Sequence, residues 1–396
     1  RFIIDTNSRI SLSNNDSGTA NTIFGHSAGS SITSGGNNNV AIGQEALASL
    51  TSGSRNVGIG YDAGKAMTTA NRNIAIGYEA LRTEDADGDR TVAVGYQALY
   101  SQNGDTEAMG NNAVGYISGY WNVTGVNNTY MGYASGGAGG VSTNNHSDNT
   151  GIGFKSLNQN TTGGNNTAVG SLSGQYNQTG SQNTYVGYAS GLGASGNSHS
   201  TNTAVGYFTL KDVTTGGANT VIGAFAGDVV TTQDSLTLVG KHAGGAINDN
   251  GANGTVAVGA SALSALTSGS GCVAIGLESS KANTTGYKNT ALGWNSFYTN
   301  QTGYSNTAIG AEALYYTTSD ENVAVGDRAG AYTTGDANTY VGFKAGFGAS
   351  GAETHNTGVG HNALLKITDG GFNVSIGSRS GEDLTTGDFN VFIGDY

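Results

Sequence analysis

One motif governs what this chain can fold into. The sequence Asn-Thr-Ala-Val-Gly, with small variations, recurs 22 times between Gly25 and Gly394. Aligned on the glycine, the spacing is most often 17 residues and ranges from 16 to 21. A period this short is one supersecondary unit, which cannot bury its apolar face alone and must stack on its neighbours. The chain therefore divides into a lead-in segment, 1–20, and a continuous repeat array, 21–396.

The columns of the repeat define the unit. The residue before the glycine is apolar in all 22 copies, and three before it 21 copies carry Thr, Val or Ile, Asn112 being the exception. These two columns share one face of an extended strand, where β-branched side chains fit well. Two before the glycine, most copies have Ala or Gly, and three have Tyr: Tyr130, Tyr185 and Tyr340. No column follows a 3.6-residue period, so helix is excluded. The expected fold is all-β: a parallel β-solenoid of about 22 coils, each with two short strands and two turns. At roughly 4.8 Å per coil the array would extend on the order of 100 Å. The β-branched columns (Thr203 and Val205 in one copy) are expected to face the interior. The small column (Ala204) is expected to face outward and let a neighbour approach. With both strand faces short of charge and no helix to cover them, the pattern predicts a homo-oligomer, with three copies the expected number.

Four residues before the glycine, 18 of 22 copies are Asn; Thr91, Leu236, Thr255 and Cys272 depart. Stacked at one turn, residues such as Asn166, Asn183, Asn202 and Asn219 would form a side-chain ladder, or else simply suit the turn backbone. Gly170, Gly187, Gly206 and Gly223 then mark the corner that ends each strand. Composition agrees with a hydrogen-bonded array: 67 Gly, no Pro, and only 11% charged residues. A chain without Pro keeps every backbone N–H available to a ladder. The net charge of −12 leaves no electrostatic footprint for nucleic acid and disfavours anionic membrane. One cysteine, Cys272, excludes an intrachain disulfide, and no apolar run is long enough to span a membrane as a helix.

The motif Asn-[Thr/Val]-Ala-[Ile/Val]-Gly-x-x-Ala resembles the head repeats of YadA-like trimeric adhesins. The longer pattern Thr-Thr-Gly-x-x-Asn-Thr-Ala-Ile-Gly-x-x-Ala-Leu resembles repeats in long bacteriophage fibre proteins, as does the opening stretch. The resemblance spans nearly the whole chain. It implies a trimeric, left-handed parallel β-roll at a virion or bacterial surface. The adhesin repeat is shorter than the one here, so the extra residues are expected to enlarge a turn.

Chemistry-bearing residues are sparse. Gly191–Gly196 matches Gly-x-Gly-x-x-Gly, but with no following helix a dinucleotide site is not expected. Asp85, Asp87 and Asp89 form the densest acidic run and offer oxygens to calcium, although the loop lacks the glycine and glutamate of an EF-hand. His146, His199 and His355 fall in three longer turns, each after a coil with Tyr two before its glycine. In a trimer, three copies of one such His would meet on the axis and could hold a zinc-like ion. No catalytic set stands out, so the chain is not expected to be an enzyme. One residue after the glycine, Tyr61, Tyr78, Tyr96, Tyr116, Tyr133 and Phe154 occupy six consecutive copies. They are expected to stack as a column that seals a corner or, if exposed, contacts glycans. The sequence reading is thus an extracellular structural fibre module, a phage tail-fibre or adhesin shaft supporting attachment to a glycan or protein receptor. A self-assembling filament and an ice-binding solenoid are the alternatives.

Overall fold

The computed structural model describes residues 18–84, 88–104, 109–137, 145–348, 351 and 353–395, and the backbone of 3–4 and 10–11. The chain forms two compact units, 1–200 and 201–396. In the first, Ile3–Ile4 pairs antiparallel with Ile10–Ser11. Ten three-residue strands follow, from Thr22–Phe24 to Thr184–Val186. Each pairs parallel with the next in chain order, with like columns in register; Thr167, Ala168 and Val169 lie beside Thr184, Tyr185 and Val186. The second unit has twelve such strands, from Thr203–Val205 to Val391–Ile393, paired the same way. Both units are parallel β-solenoids with one coil per repeat.

Each coil carries one strand, not two. After the glycine the chain turns repeatedly, because residues two and four beyond it adopt left-handed backbone: Glu45 (φ 56°) and Leu47 (φ 51°) are one example. Left-handed residues cannot continue a strand. Coil-to-coil hydrogen bonding nevertheless persists: the N–H groups of Leu47, Ser49 and Thr51 donate to Ala63, Lys65 and Thr68 at 2.8 to 3.1 Å.

The strand faces are reversed from the sequence expectation. Ala204 is fully buried, whereas Thr203 and Val205 are half-exposed. The same holds along both units, and Tyr130, Tyr185 and Tyr340 point inward with Ala204's column. The reason is room. A 17-residue coil encloses a narrow interior, and the left-handed turns send Leu47, Leu81, Leu99, Leu210 and Leu314 into it from the opposite wall. Only a small side chain then fits at the middle of the strand. Where the middle residue is Tyr130, Tyr185 or Tyr340, the opposing position is Gly136, Gly191 or Gly346, and a Cβ there would fall 2.1 to 2.4 Å from the ring. The β-branched columns therefore form an outward apolar stripe, exposed most at Ile393, Val391, Phe24 and Met131.

Two polar ladders clamp the coils. In the first unit the Asn166 Oδ1 accepts from the Asn183 N–H (3.0 Å) and Nδ2 (2.9 Å), while its Nδ2 donates to the Gly180 carbonyl at 2.9 Å. In the second unit Asn202 accepts from the Asn219 N–H at 3.1 Å and donates to Gly216 at 2.9 Å. Thr91 breaks the column, and Gln102 bridges the break, donating to Thr91 (3.0 Å) and accepting from Asn111 (2.9 Å). A second ladder runs two residues earlier, where Asp, Asn or Ser accepts the backbone N–H of the preceding coil. Asn71 bonds Asp89, Tyr304 bonds Asp320, and Asp320 bonds Asp336 in this way.

The corner glycines stack. Gly170 has φ +139° and a Cβ on it would lie 2.3 Å from the Gly187 carbonyl oxygen; Gly223 has φ +131° and 2.5 Å to Gly240. Both the backbone angle and the close approach demand glycine.

Candidate functional site

The six-residue aromatic column exists in the first unit. Tyr61, Tyr78, Tyr96, Tyr116, Tyr133 and Phe154 stack with ring centroids 5.0 to 5.3 Å apart and planes within 20° of parallel. Stacking arises because each ring follows a corner glycine, and successive glycines lie directly above one another. Each ring is about 40 to 46% exposed or just below that. Neighbouring rings cover each other's faces, so the column turns its edges and phenol hydroxyls outward. A sugar stacks on a ring face, and within this column the faces are taken.

The three histidines do not form one class. His146 and His199 are buried inside the coil; Nδ1 of each meets the hydroxyl of Tyr130 (2.8 Å) or Tyr185 (2.6 Å). Burial pushes both down to about 4, so both rings are neutral at physiological pH. His355 is exposed and stacks on Phe372 at 4.7 Å. The position matching His146 and His199, three before the ladder Asn, belongs to Glu353. Its carboxylate is buried near Tyr340, and neither oxygen has a hydrogen-bond partner among the described residues. Burial pushes it up to about 8. Each inward tyrosine thus brings an ionisable residue beside its hydroxyl, His in the first unit and Glu in the second.

Of the acidic run, Asp85 and Asp87 lie outside the described residues. Asp89 accepts the Asn71 N–H at 2.5 Å and lies 3.7 Å from the Arg72 guanidinium, which makes it a rung of the second ladder. Among the described residues no group of three His, Cys, Asp or Glu is placed to hold a metal ion.

The second unit carries a surface that the column analysis missed. Five and six residues after the corner glycine lies another aromatic corner, with Tyr298 stacked on Tyr315 (5.0 Å) and Tyr316 on Tyr332 (4.9 Å). Tyr315, Tyr316, Tyr332 and Phe347 line a hollow of about 380 Å³ together with Glu312 and Arg328. Arg328 Nε donates to the Glu312 carboxylate at 2.6 Å. A second hollow of about 520 Å³ adjoins Phe343, Lys344, Leu365 and Lys366, and Phe347 lines both. The aromatic residues at this corner were legible in the sequence, but they recur in too few copies to stand out as a column. No family model matches this chain, and no curated protein matches it.

Proposed function

We propose that this chain is a structural fibre module, a homo-oligomeric shaft that holds an attachment function away from its base at a virion or bacterial surface. The observation that carries the reading is the outward β-branched stripe. One half-exposed or exposed apolar residue stands before the corner glycine in every coil of both units. Contiguous apolar surface of this kind marks an interface, and a stripe that repeats coil by coil is best matched by the same stripe on another copy. Two ladders and a stacked glycine corner give the register-locked stiffness that a shaft needs. The resemblance of the repeat to trimeric adhesin heads and phage fibres points the same way and favours three copies.

Electron microscopy of the full chain tests the proposal. A fibre module gives particles of one length, shortened by about 4.8 Å for every repeat deleted. Filaments of unlimited length would refute the module and support end-to-end assembly.

One observation favours a second reading, an ice-binding face. Thr three before the glycine points outward, not inward, in 12 of the 22 coils, including Thr129, Thr150, Thr167 and Thr184 in succession. Val or Ile replaces it in nine coils, and the companion column has no hydroxyl at all. That mixture suits protein cover better than ordered water. Thermal hysteresis from a monomeric chain would reverse the preference.

A further inference from the structure

The paired hollows of the second unit lie on the turn segment that follows the corner glycine, away from the outward strand stripe. Their chemistry is specific. Phe347 stands at 78° to Tyr332, and Tyr315 at 70° to Tyr316. In the first unit's column, by contrast, nearly parallel rings close off each other's faces. The turned rings here open hollows that aromatic faces can line, and Phe347 is the wall common to both.

Charge is equally distinctive. Lys344 Nζ sits 5.3 Å from the Phe343 centroid and 5.4 Å from that of Phe347. No carboxylate is paired with it among the described residues. The cleft also carries Arg328, bound to Glu312, and Lys366, bound to Asp383 at 2.5 Å. Asp327 also acts on Arg328, so Lys344 is what distinguishes the cleft, a cation with no carboxylate paired to it among the described residues. Two aromatic rings hold the Lys344 ammonium in place and leave its N–H donors free to point into the larger hollow.

We propose that this cleft binds an acidic oligosaccharide. The acid group lies at Lys344 in the larger hollow, and the adjoining sugar units lie against Phe347 and along the edges of Tyr316 and Tyr332, whose facing sides cover each other, in the smaller. Phe347, turned 78° out of the tyrosine stack, matches the C–H face of a pyranose ring. The phenol hydroxyls and the planar Arg328–Glu312 pair supply donors and acceptors for sugar hydroxyls. An apolar acid such as a fatty acid would leave those polar groups without partners, and a neutral sugar would leave Lys344 without its counter-charge. The cleft stands independently of the fibre reading. A monomer that binds the saccharide sustains this proposal, and a trimer that does not bind it overturns it.

Calorimetric titration of the full chain with tetragalacturonate is the test, with maltotetraose and laurate as comparators. Tetragalacturonate binding is expected, with affinity lost by about tenfold in Lys344→Gln, since a hydrogen bond to a charged group contributes on that order. Phe347→Ala should weaken both subsites, and Tyr96→Ala in the other unit should change nothing. If Lys344→Gln does not fold, the salt dependence of wild-type binding replaces it: loss at high salt supports the assignment, and indifference to salt contradicts it. No tetragalacturonate binding, equal affinity for maltotetraose, unchanged affinity in a folded Lys344→Gln, or preferential binding of laurate would each overturn it.

Discussion

Glu353 makes the sharpest quantitative test of the coil interior. Its carboxyl is fully buried near Tyr340, and neither oxygen has a hydrogen-bond partner among the described residues. Burial raises it from 4.5 to about 8. A group whose folded value is raised contributes fully below its unfolded value, and that contribution is lost as pH rises through the folded one. Between pH 4.5 and 8 the loss accumulates at about 1.4 kcal/mol per unit, reaching roughly 4 kcal/mol by pH 8. Glu353→Gln keeps the shape and removes the charge. The variant and wild type should therefore match near pH 4.5, and the variant should be more stable by about 3 to 4 kcal/mol at pH 8. Hydrogen exchange of peptides covering 339–359, corrected for the intrinsic pH dependence, reads this locally. In the first unit the sign is opposite. His146 and His199 are lowered from 6.5 to about 4, so stability is complete above pH 6.5 and falls as pH drops toward 4. Each histidine accounts for about 3 kcal/mol of that loss. Equal exchange for wild type and Glu353→Gln at pH 8, or a first unit indifferent to acid, would refute the assigned burial.

Further outcomes follow from the ladders and the corner. Gly223→Ala forces a side chain into left-handed backbone and against the Gly240 carbonyl; thermal unfolding should show a loss of about 3 kcal/mol or more, since the backbone term alone is ~1–3. Asn166→Ala removes the Oδ1 that accepts the buried Asn183 N–H and one of the two donors to the Gly180 carbonyl, which keeps Asn177 Nδ2 at 3.1 Å; this predicts a loss of about 1 to 3 kcal/mol by denaturant titration. Tyr130→Phe removes the 2.8 Å contact with His146 and should lower stability by about 1 kcal/mol. Tyr340→Phe removes a hydroxyl that has no hydrogen-bond partner among the described residues, so it should be neutral or stabilising by the same assay.

The repeat was legible because its columns are physical requirements. Gly170 and Gly223 allow no Cβ, and Asn166 and Asn202 each bond the next coil, so these positions show through every copy. The strand parity was not legible. Thr203 and Val205 look like core residues by hydrophobicity, and Ala204 like a surface one. What decides the matter is the width of the coil, set by left-handed Leu210 and its counterparts, and no local pattern announces a left-handed leucine. One signal was present and unused: the tyrosines at 130, 185 and 340 coincide with glycine at 136, 191 and 346, which is the signature of two positions sharing one interior space. The same test separates His355 from His146 and His199, since counting back from Asn356 places Glu353 at the histidine position. The cleft around Phe347 escaped for a different reason. It depends on ring orientation at a corner where the residues vary from coil to coil.

The outward stripe leads to one decisive measurement. Sedimentation equilibrium or native mass spectrometry of the full chain at micromolar concentration should give three times the chain mass of 39.8 kDa. A stable species of 39.8 kDa at that concentration would mean that the apolar stripe is not covered by other copies, and it would contradict the fibre account.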